Sequence, residues 1–124
     1  MIKEAEAFKA GSKGAEIIDA IAKFGEWIVE VPGKIGFNAF SNTDLAQVLA
    51  DKGIETVVVC GAVTSLCVNA TAMKAAEDYN VVVLSDCVSG RTQVEQDMFC
   101  NELFPYFAEV MDHNGFIQKV GVKV

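Results

Sequence analysis

Residues 59–68 read Val-Cys-Gly-Ala-Val-Thr-Ser-Leu-Cys-Val, and this segment predicts how the strands and helices around it are arranged. The apolar run Glu55–Cys60 predicts a strand buried on both faces. It passes through Gly61 into a polar turn and then into a helix predicted over residues 67–78, whose small side chains suit close packing on a sheet. A further strand predicted at residues 81–84 completes a β-α-β unit, which implies a parallel sheet.

The flanking sequence adds further helices and strands. Apolar spacing predicts a helix over residues 13–24, a second helix capped by Ser41 or Asn42 with Leu45, Val48 and Leu49 inward, and a third that begins with the cap Thr92 and ends before Pro105. Short runs of β-formers predict strands at residues 27–31 and 107–111. Residues 1–10 suggest a charged helix or loose arm, and no element is assigned to residues 116–124. The fold class is α/β, with a parallel sheet in a three-layer α/β/α arrangement and a single domain spanning residues 1–124.

Composition limits the range of partners. Of the 124 residues, 52% are hydrophobic and 22% are charged, and the formal net charge is -7. Scattered basic residues argue against nucleic acid or an anionic membrane surface, so a small-molecule substrate fits better. The apolar runs are far below the ~20 residues of a membrane helix, and the first residues lack the apolar core of a secretory signal, so we expect a cytoplasmic protein. Four cysteines without a Cys-x-x-Cys pair, beside one His, predict no zinc cluster and no cofactor.

Cys67 is the candidate nucleophile. At the start of a helix, free backbone N–H groups and the positive end of the dipole stabilise a thiolate, and the same N–H groups can bind an oxyanion. Lys34 follows the predicted strand 27–31, so it lies at the carboxyl edge of the sheet, where ligands of such folds collect. The competing interpretations are a buried structural thiol for Cys67 and a solvated lysine for Lys34. The other three cysteines are interpreted as packing residues.

Several motifs in order carry a resemblance: Lys34, Phe37 to Leu45, Gly61 to Val68, Thr71-Ala72 and Asp86. Over residues 11–113 this pattern resembles the isochorismatase-like hydrolases, which include nicotinamidases and carbamoyl amidohydrolases. The resemblance implies a Rossmann-like fold, Cys67 as nucleophile and Lys34 as its cationic partner. It also implies a cis peptide between Ala62 and Val63, with the Val63 and Cys67 amides forming the oxyanion hole.

The resemblance also implies a departure from the family. The family's catalytic Asp lies on a first strand that precedes every motif found in this sequence, so we expect an N-terminally truncated form of the fold. The metal ligands of nicotinamidases belong to the same region, and His113 alone does not replace them. We therefore predict no metal.

Other candidate residues have weaker signals. Phe37 and Phe40 are candidate walls of a substrate pocket, although aromatic residues more often fill a core. Asp86 is interpreted as a turn residue that binds backbone amides, and His113 as a surface residue. Arg91 could contact a substrate carboxylate.

The leading hypothesis is a hydrolase of C–N bonds in small amides or carbamoyl compounds, working through a covalent intermediate on Cys67. The alternative is a catalytically incompetent member that binds a small molecule or a partner chain. A thiol redox protein is a weaker third interpretation, because no resolving Cys follows Cys67 at short spacing. A sheet that lacks strands exposes apolar edges, which predicts a homo-oligomer.

Overall fold

The computed structural model describes residues 9–121. These residues divide after Glu30 into two compact units, 9–30 and 31–121. The single domain over residues 1–124 stays a prediction.

The first unit contains only short helical turns. A 3-10 turn spans Lys13–Ala15, helix α1 spans Asp19–Ala22, and a second 3-10 turn spans Gly25–Trp27. The helix predicted over residues 13–24 is thus interrupted, and the strand predicted over residues 27–31 is absent. No side chain in residues 9–30 is buried, so the apolar face of the predicted helix receives no support from packing. The prediction for residues 1–10 falls mostly outside the described residues.

The second unit is built on a parallel sheet of three strands in the order β1-β2-β3. Strand β1 spans Thr56–Ala62, β2 spans Asn80–Ser89 and β3 spans Glu109–Met111. Val57 to Val59 pair with Val81 to Val83, and an irregularity then shifts the register so that Gly61 lies beside Val88. Parallel pairing and intervening helices make the fold α/β and Rossmann-like, as the sequence predicts.

The helices connect these strands. Helix α2 spans Leu45–Asp51, α3 spans Asn69–Ala75 and α4 spans Gln93–Met98. The predicted inward residues of α2 are half-buried, and the Thr92 hydroxyl accepts a hydrogen bond from the Glu95 N–H as a helix cap. Helix α5, His113–Val120, forms where no helix is predicted from the sequence. It is capped by Asp112, whose carboxylate accepts from the Gly115 N–H at 2.7 Å.

The core lies where β1 and β2 meet α3 and the segment that follows α4. Its buried side chains are Val59, Val68, Ala72, Ala75, Val81, Val83, Val88, Cys100 and Phe104. Phe104 is fully buried and contacts the rings of Phe99 and Phe107. Cys100 is therefore a packing residue as predicted, whereas Cys60 and Cys87 are exposed. In the described part of the chain no strand pairs with the outer edge of β1.

Helices capable of crossing a bilayer were sought among residues 9–121, and none has the required length and apolar character.

Candidate active site

Cys67 lies in a π-helical turn, Thr64–Val68, that joins the end of β1 to α3. The peptide bond between Ala62 and Val63, which enters this turn, is cis. The Val63 carbonyl accepts hydrogen bonds from the Leu66 N–H at 3.0 Å and the Val68 N–H at 3.2 Å. Thr64 and Val68 are buried, whereas Cys67 is half-buried. The turn is thus anchored at both ends while its thiol stays accessible.

Lys34 contacts this thiol. Its Nζ lies 3.4 Å from the Cys67 Sγ and donates to it, although 33 positions separate the two residues in the sequence. The same Nζ donates to the Gly36 carbonyl at 2.5 Å. The structure thus brings together the two residues that the sequence singles out, even though Lys34 does not follow a strand.

Helix α3 fixes the segment that carries Lys34. The Thr71 hydroxyl of α3 accepts from the Ala39 N–H at 3.0 Å and donates to the Phe37 carbonyl at 3.5 Å. At Gly33, where φ is +103°, an added Cβ would lie 2.5 Å from the Asn42 carbonyl oxygen. This contact leaves no room for a side chain at the position just before Lys34.

A cavity of about 260 Å³ opens beside the thiol. Lys34, Ala39 and Thr71 form one part of its wall, β1 contributes Val59 to Ala62, and the remaining wall is Cys67 and Val68. It is smaller than the ~300–1,000 Å³ typical of drug-sized ligand sites. A small substrate bound here would meet the thiol and the ammonium together.

The two predicted pocket aromatics lie elsewhere. Phe40 packs against the hydrophobic core and stacks on Tyr79 with ring centroids 6.3 Å apart. Phe37 is 57% exposed. Neither side chain lines the cavity beside Cys67, so their role in substrate binding stays a prediction.

Asp86 binds the start of α5. Its carboxylate accepts from the His113 N–H at 2.9 Å and pairs with the His113 Nδ1. Hydrogen bonding to His113 lowers the pKa of Asp86, and the Asp86 carboxylate raises the pKa of His113. The structure gives Asp86 the backbone-binding role that the sequence suggested, and it gives His113 an ion-pair partner that the sequence did not reveal.

The thiols differ in their surroundings. The pKa of the Cys87 thiol is raised, first because the thiol is partly removed from water. The Asp86 carboxylate, 3.5 Å from the Cys87 Sγ, raises it further. Burial raises the pKa of the Cys100 thiol. Both effects disfavour the thiolate at the two positions outside the cavity.

Four polar residues near the turn were not singled out by the sequence as site residues. The Thr64 hydroxyl donates to Gln96 Oε1 at 2.7 Å, and the Ser65 hydroxyl donates to the Glu95 carboxylate. The Glu95 carboxylate also pairs with Arg91, whose Nε lies 3.2 Å away. Arg91 is therefore engaged in a contact within the chain.

Metal-ligating side chains do not cluster in residues 9–121, where no group of three or more His, Cys, Asp or Glu residues could hold an ion. His113 is already paired with Asp86. The residues present do not fit the metal site of nicotinamidases, and no step of the chemistry is assigned to a metal.

Comparison with known proteins identifies the family of this chain. The family model described as Isochorismatase domain matches residues 1–115. The chain belongs to the isochorismatase family. It is 33% identical over 93 residues to the isochorismatase family protein YddQ of Bacillus subtilis, covering 73% of this chain and 51% of that protein.

Solved structures of isochorismatase-family relatives agree. A cysteine hydrolase from Pseudomonas syringae pv. phaseolicola superposes with a TM-score of 0.80 at 26% identity, covering 90% of this chain and 57% of that one. The pyrazinamidase/nicotinamidase of Streptococcus mutans superposes with a TM-score of 0.72 at 28% identity, covering 82% of this chain and 60% of that one. The chain spans about half the length of the curated relatives it matches, with shares between 40% and 51%.

Proposed function

We propose that this chain carries the nucleophile of a hydrolase that cleaves the C–N bond of a small amide or carbamoyl compound. The observation that carries the proposal is the contact of 3.4 Å between Lys34 Nζ and Cys67 Sγ. Both residues line one cavity at the carboxyl end of β1, the edge at which parallel sheets bind ligands. Membership of the isochorismatase family and likeness to a pyrazinamidase/nicotinamidase support the choice of an amide.

Each residue has a role in the proposed reaction. The Lys34 ammonium stabilises the Cys67 thiolate, which adds to the carbonyl carbon of the substrate and forms a C–S bond. The oxyanion that results is held by the Val63 and Cys67 amides, because preformed donors lower the energy of the tetrahedral intermediate. The C–N bond then breaks as the amine takes up a proton, and water hydrolyses the thioester to restore the thiol.

Limiting iodoacetamide at neutral pH, followed by mass spectrometry, tests the nucleophile. We expect Cys67 to be labelled before the other thiols, since the raised pKa values of Cys87 and Cys100 keep those two protonated. Lys34→Met should slow the labelling of Cys67 about fivefold, the factor expected for unit charges about 4 Å apart in water. Lys52→Met, on an exposed residue beyond α2, is the matched control and should leave the rate unchanged.

An activated ester supplies the second measurement. We expect one equivalent of acyl group on Cys67, detected by the release of p-nitrophenolate from p-nitrophenyl acetate and by the mass of the labelled peptide. Cys67→Ala should abolish the burst. An undiminished burst from Cys67→Ala, or preferential labelling of Cys60 or Cys87, would contradict the proposed nucleophile.

A second candidate function is binding without turnover. It is favoured by the partners of the Cys67 sulfur, which among residues 9–121 include the Lys34 ammonium and no carboxylate. General acid–base help is worth ~10²–10⁴-fold in rate, so an acyl group on Cys67 should be released slowly without it. Such a chain would bind its ligand in the cavity and react with it at most once.

Turnover of nicotinamide separates the two candidates. A rate near the median enzyme value of ~10 s⁻¹, abolished in Cys67→Ala, would support the hydrolase and identify an acid of this chain as the base. A stoichiometric burst with activated ester and no release of ammonia would support the binding protein. Adding a peptide that carries an Asp at the end of an extended strand should raise amide turnover if a missing carboxylate is the cause.

We further propose a small-molecule substrate, no nucleic-acid partner, no metal or other cofactor, a cytoplasmic location and homo-oligomeric assembly.

A further inference from the structure

A buried hydrogen bond links the nucleophile turn to α4. Thr64 is the one polar residue with a buried side chain among residues 9–121, and its exposure is 0%. Its hydroxyl donates to Gln96 Oε1 at 2.7 Å. Because a buried hydroxyl without a partner is costly, this contact fixes where the turn lies relative to the helix.

The Gln96 side chain is also held by strand β2. Its Nε2 donates to the Ser85 carbonyl at 3.1 Å and to the Val88 carbonyl at 3.3 Å, both on β2. At Gly90, an added Cβ would lie 3.3 Å from Gln96 Oε1, so the glycine leaves room for the amide. One side chain therefore joins the nucleophile turn, α4 and the carboxyl-terminal half of β2.

Glu95, the residue before Gln96, also contacts the nucleophile turn. Glu95 accepts a hydrogen bond from Ser65, and its side chain is 12% exposed and paired with Arg91. Consecutive residues of α4 thus hold consecutive residues of the turn, and Cys67 lies two positions after Ser65. Hydrogen bonding to Ser65 and the charge of Arg91 lower the pKa of Glu95, so this carboxylate stays ionised at neutral pH.

We propose that Gln96 is a positioning residue, which acts through Thr64 to hold the Cys67 turn in the geometry that acyl transfer requires. This inference rests on the proposed role of Cys67. Thiolate attack on an ester forms the C–S bond, moves the carbonyl π electrons onto oxygen and then expels the alkoxide or phenoxide with its electron pair. The oxyanion must meet its donors at the moment it forms, and a displacement of about 1 Å can cost 10²-fold in rate.

Two reactions of the same thiol separate positioning from stability. Alkylation by iodoacetamide needs a thiolate and an open approach, but it forms no oxyanion. Acylation by p-nitrophenyl acetate needs the thiolate and the oxyanion donors together. The ratio of the acylation rate to the alkylation rate at Cys67 therefore reports the geometry of the turn in variants whose near-ultraviolet circular dichroism is unchanged.

The decisive variant is Thr64→Val, which keeps the size of the side chain and removes the hydroxyl. We expect the rate ratio to fall about tenfold in Thr64→Val and about 10- to 100-fold in Gln96→Leu. Thr64→Ser keeps the hydroxyl and should restore the ratio to within about threefold of the original. Gln93→Leu makes the same change on the same helix, at an exposed amide that bonds only Asp97 at 2.7 Å, and should leave the ratio unchanged.

Two outcomes would overturn the proposal. The first is an unchanged ratio in folded Thr64→Val and Gln96→Leu, whether both rates stay the same or fall in parallel. The second is loss of near-ultraviolet circular dichroism in Thr64→Val, which would make the pair a stability element. Failure of the proposed function is distinguishable, because the acylation burst would then survive in Cys67→Ala.

Discussion

Gly33, the residue just before Lys34, lies close to the backbone of Asn42. Its φ of +103° lies in the region that favours glycine, and an added Cβ would lie 2.5 Å from the Asn42 carbonyl oxygen. We expect Gly33→Ala to lower the free energy of unfolding by about 1–3 kcal/mol, measured by urea denaturation. The shift of the segment should also slow alkylation of Cys67.

Gly36→Ala is the matched control for this substitution. Gly36 lies in the same segment, has no positive φ, and an added Cβ there would meet no atom within 4 Å. It should change the free energy of unfolding by less than about 0.5 kcal/mol. Equal effects of the two substitutions would show that the close approach at Asn42 is not the cause.

At the scale of single residues, the sequence predicted the candidate residues that a local motif or a family pattern identifies. Cys67 was predicted from its turn and Lys34 from its spacing to the segment that follows it. The structure brings the two side chains together, while their chemical roles stay predictions. The contact between Thr64 and Gln96 was missed because it joins residues 32 positions apart whose types have no special chemistry. Only the fold reveals that Thr64 is buried and that a single amide satisfies it.

At the scale of elements, packing separates the correct predictions from the wrong ones. Strands β1 and β2 were predicted because their valines are buried or half-buried and are paired with each other. The helix over residues 13–24 and the strand over residues 27–31 were wrong, because none of these side chains is buried and the strand pairs with no neighbour in the described part of the chain. Helix α5 was missed because its Asp112 cap precedes a weak apolar pattern.

The ion pair between β2 and α5 makes stability depend on pH. The pKa of His113 is raised above 6.5, so the stabilisation is complete below that value and is lost as pH rises through the higher pKa of the folded state. The pKa of Asp86 is lowered below 3.8, so the stabilisation that its ionised carboxylate contributes is lost as pH falls through the lower pKa of the folded state. We expect the pair to contribute most between about pH 4 and 6.5, measured as urea midpoints across pH.

Asp86→Asn should remove this dependence of stability on pH, because it removes the negative charge that raises the pKa of His113. Asp78→Asn is the control, since Asp78 is exposed and lies beyond the end of α3. Its midpoints should follow those of the unchanged chain at every pH. A pH profile for Asp86→Asn that retains the same loss above pH 6.5 would assign the effect to another group.

At the scale of the whole molecule, the sheet is open on one side. In the residues that the structure describes, β1 pairs only with β2, so the outer edge of its seven residues carries backbone groups without a strand partner. Apolar side chains elsewhere on the same unit are also exposed, including Ile35 at 85% and Tyr106 at 86%. Open edges and exposed apolar side chains both favour association.

We therefore expect the chain to self-associate, giving species larger than a 13.3 kDa monomer in sedimentation velocity at micromolar concentration. Thr56→Lys places a charge on the exposed start of β1, where it should oppose the approach of a second strand and raise the monomer fraction. Gln93→Lys adds the same charge on α4, away from the sheet edge, so it controls for net charge and should leave the distribution unchanged. If Thr56→Lys and Gln93→Lys dissociate the assembly equally, the change in net charge is the cause and the β1 edge is not the interface. A stable, monodisperse monomer of the unchanged chain would contradict the prediction outright, because the open edge would then be tolerated in water.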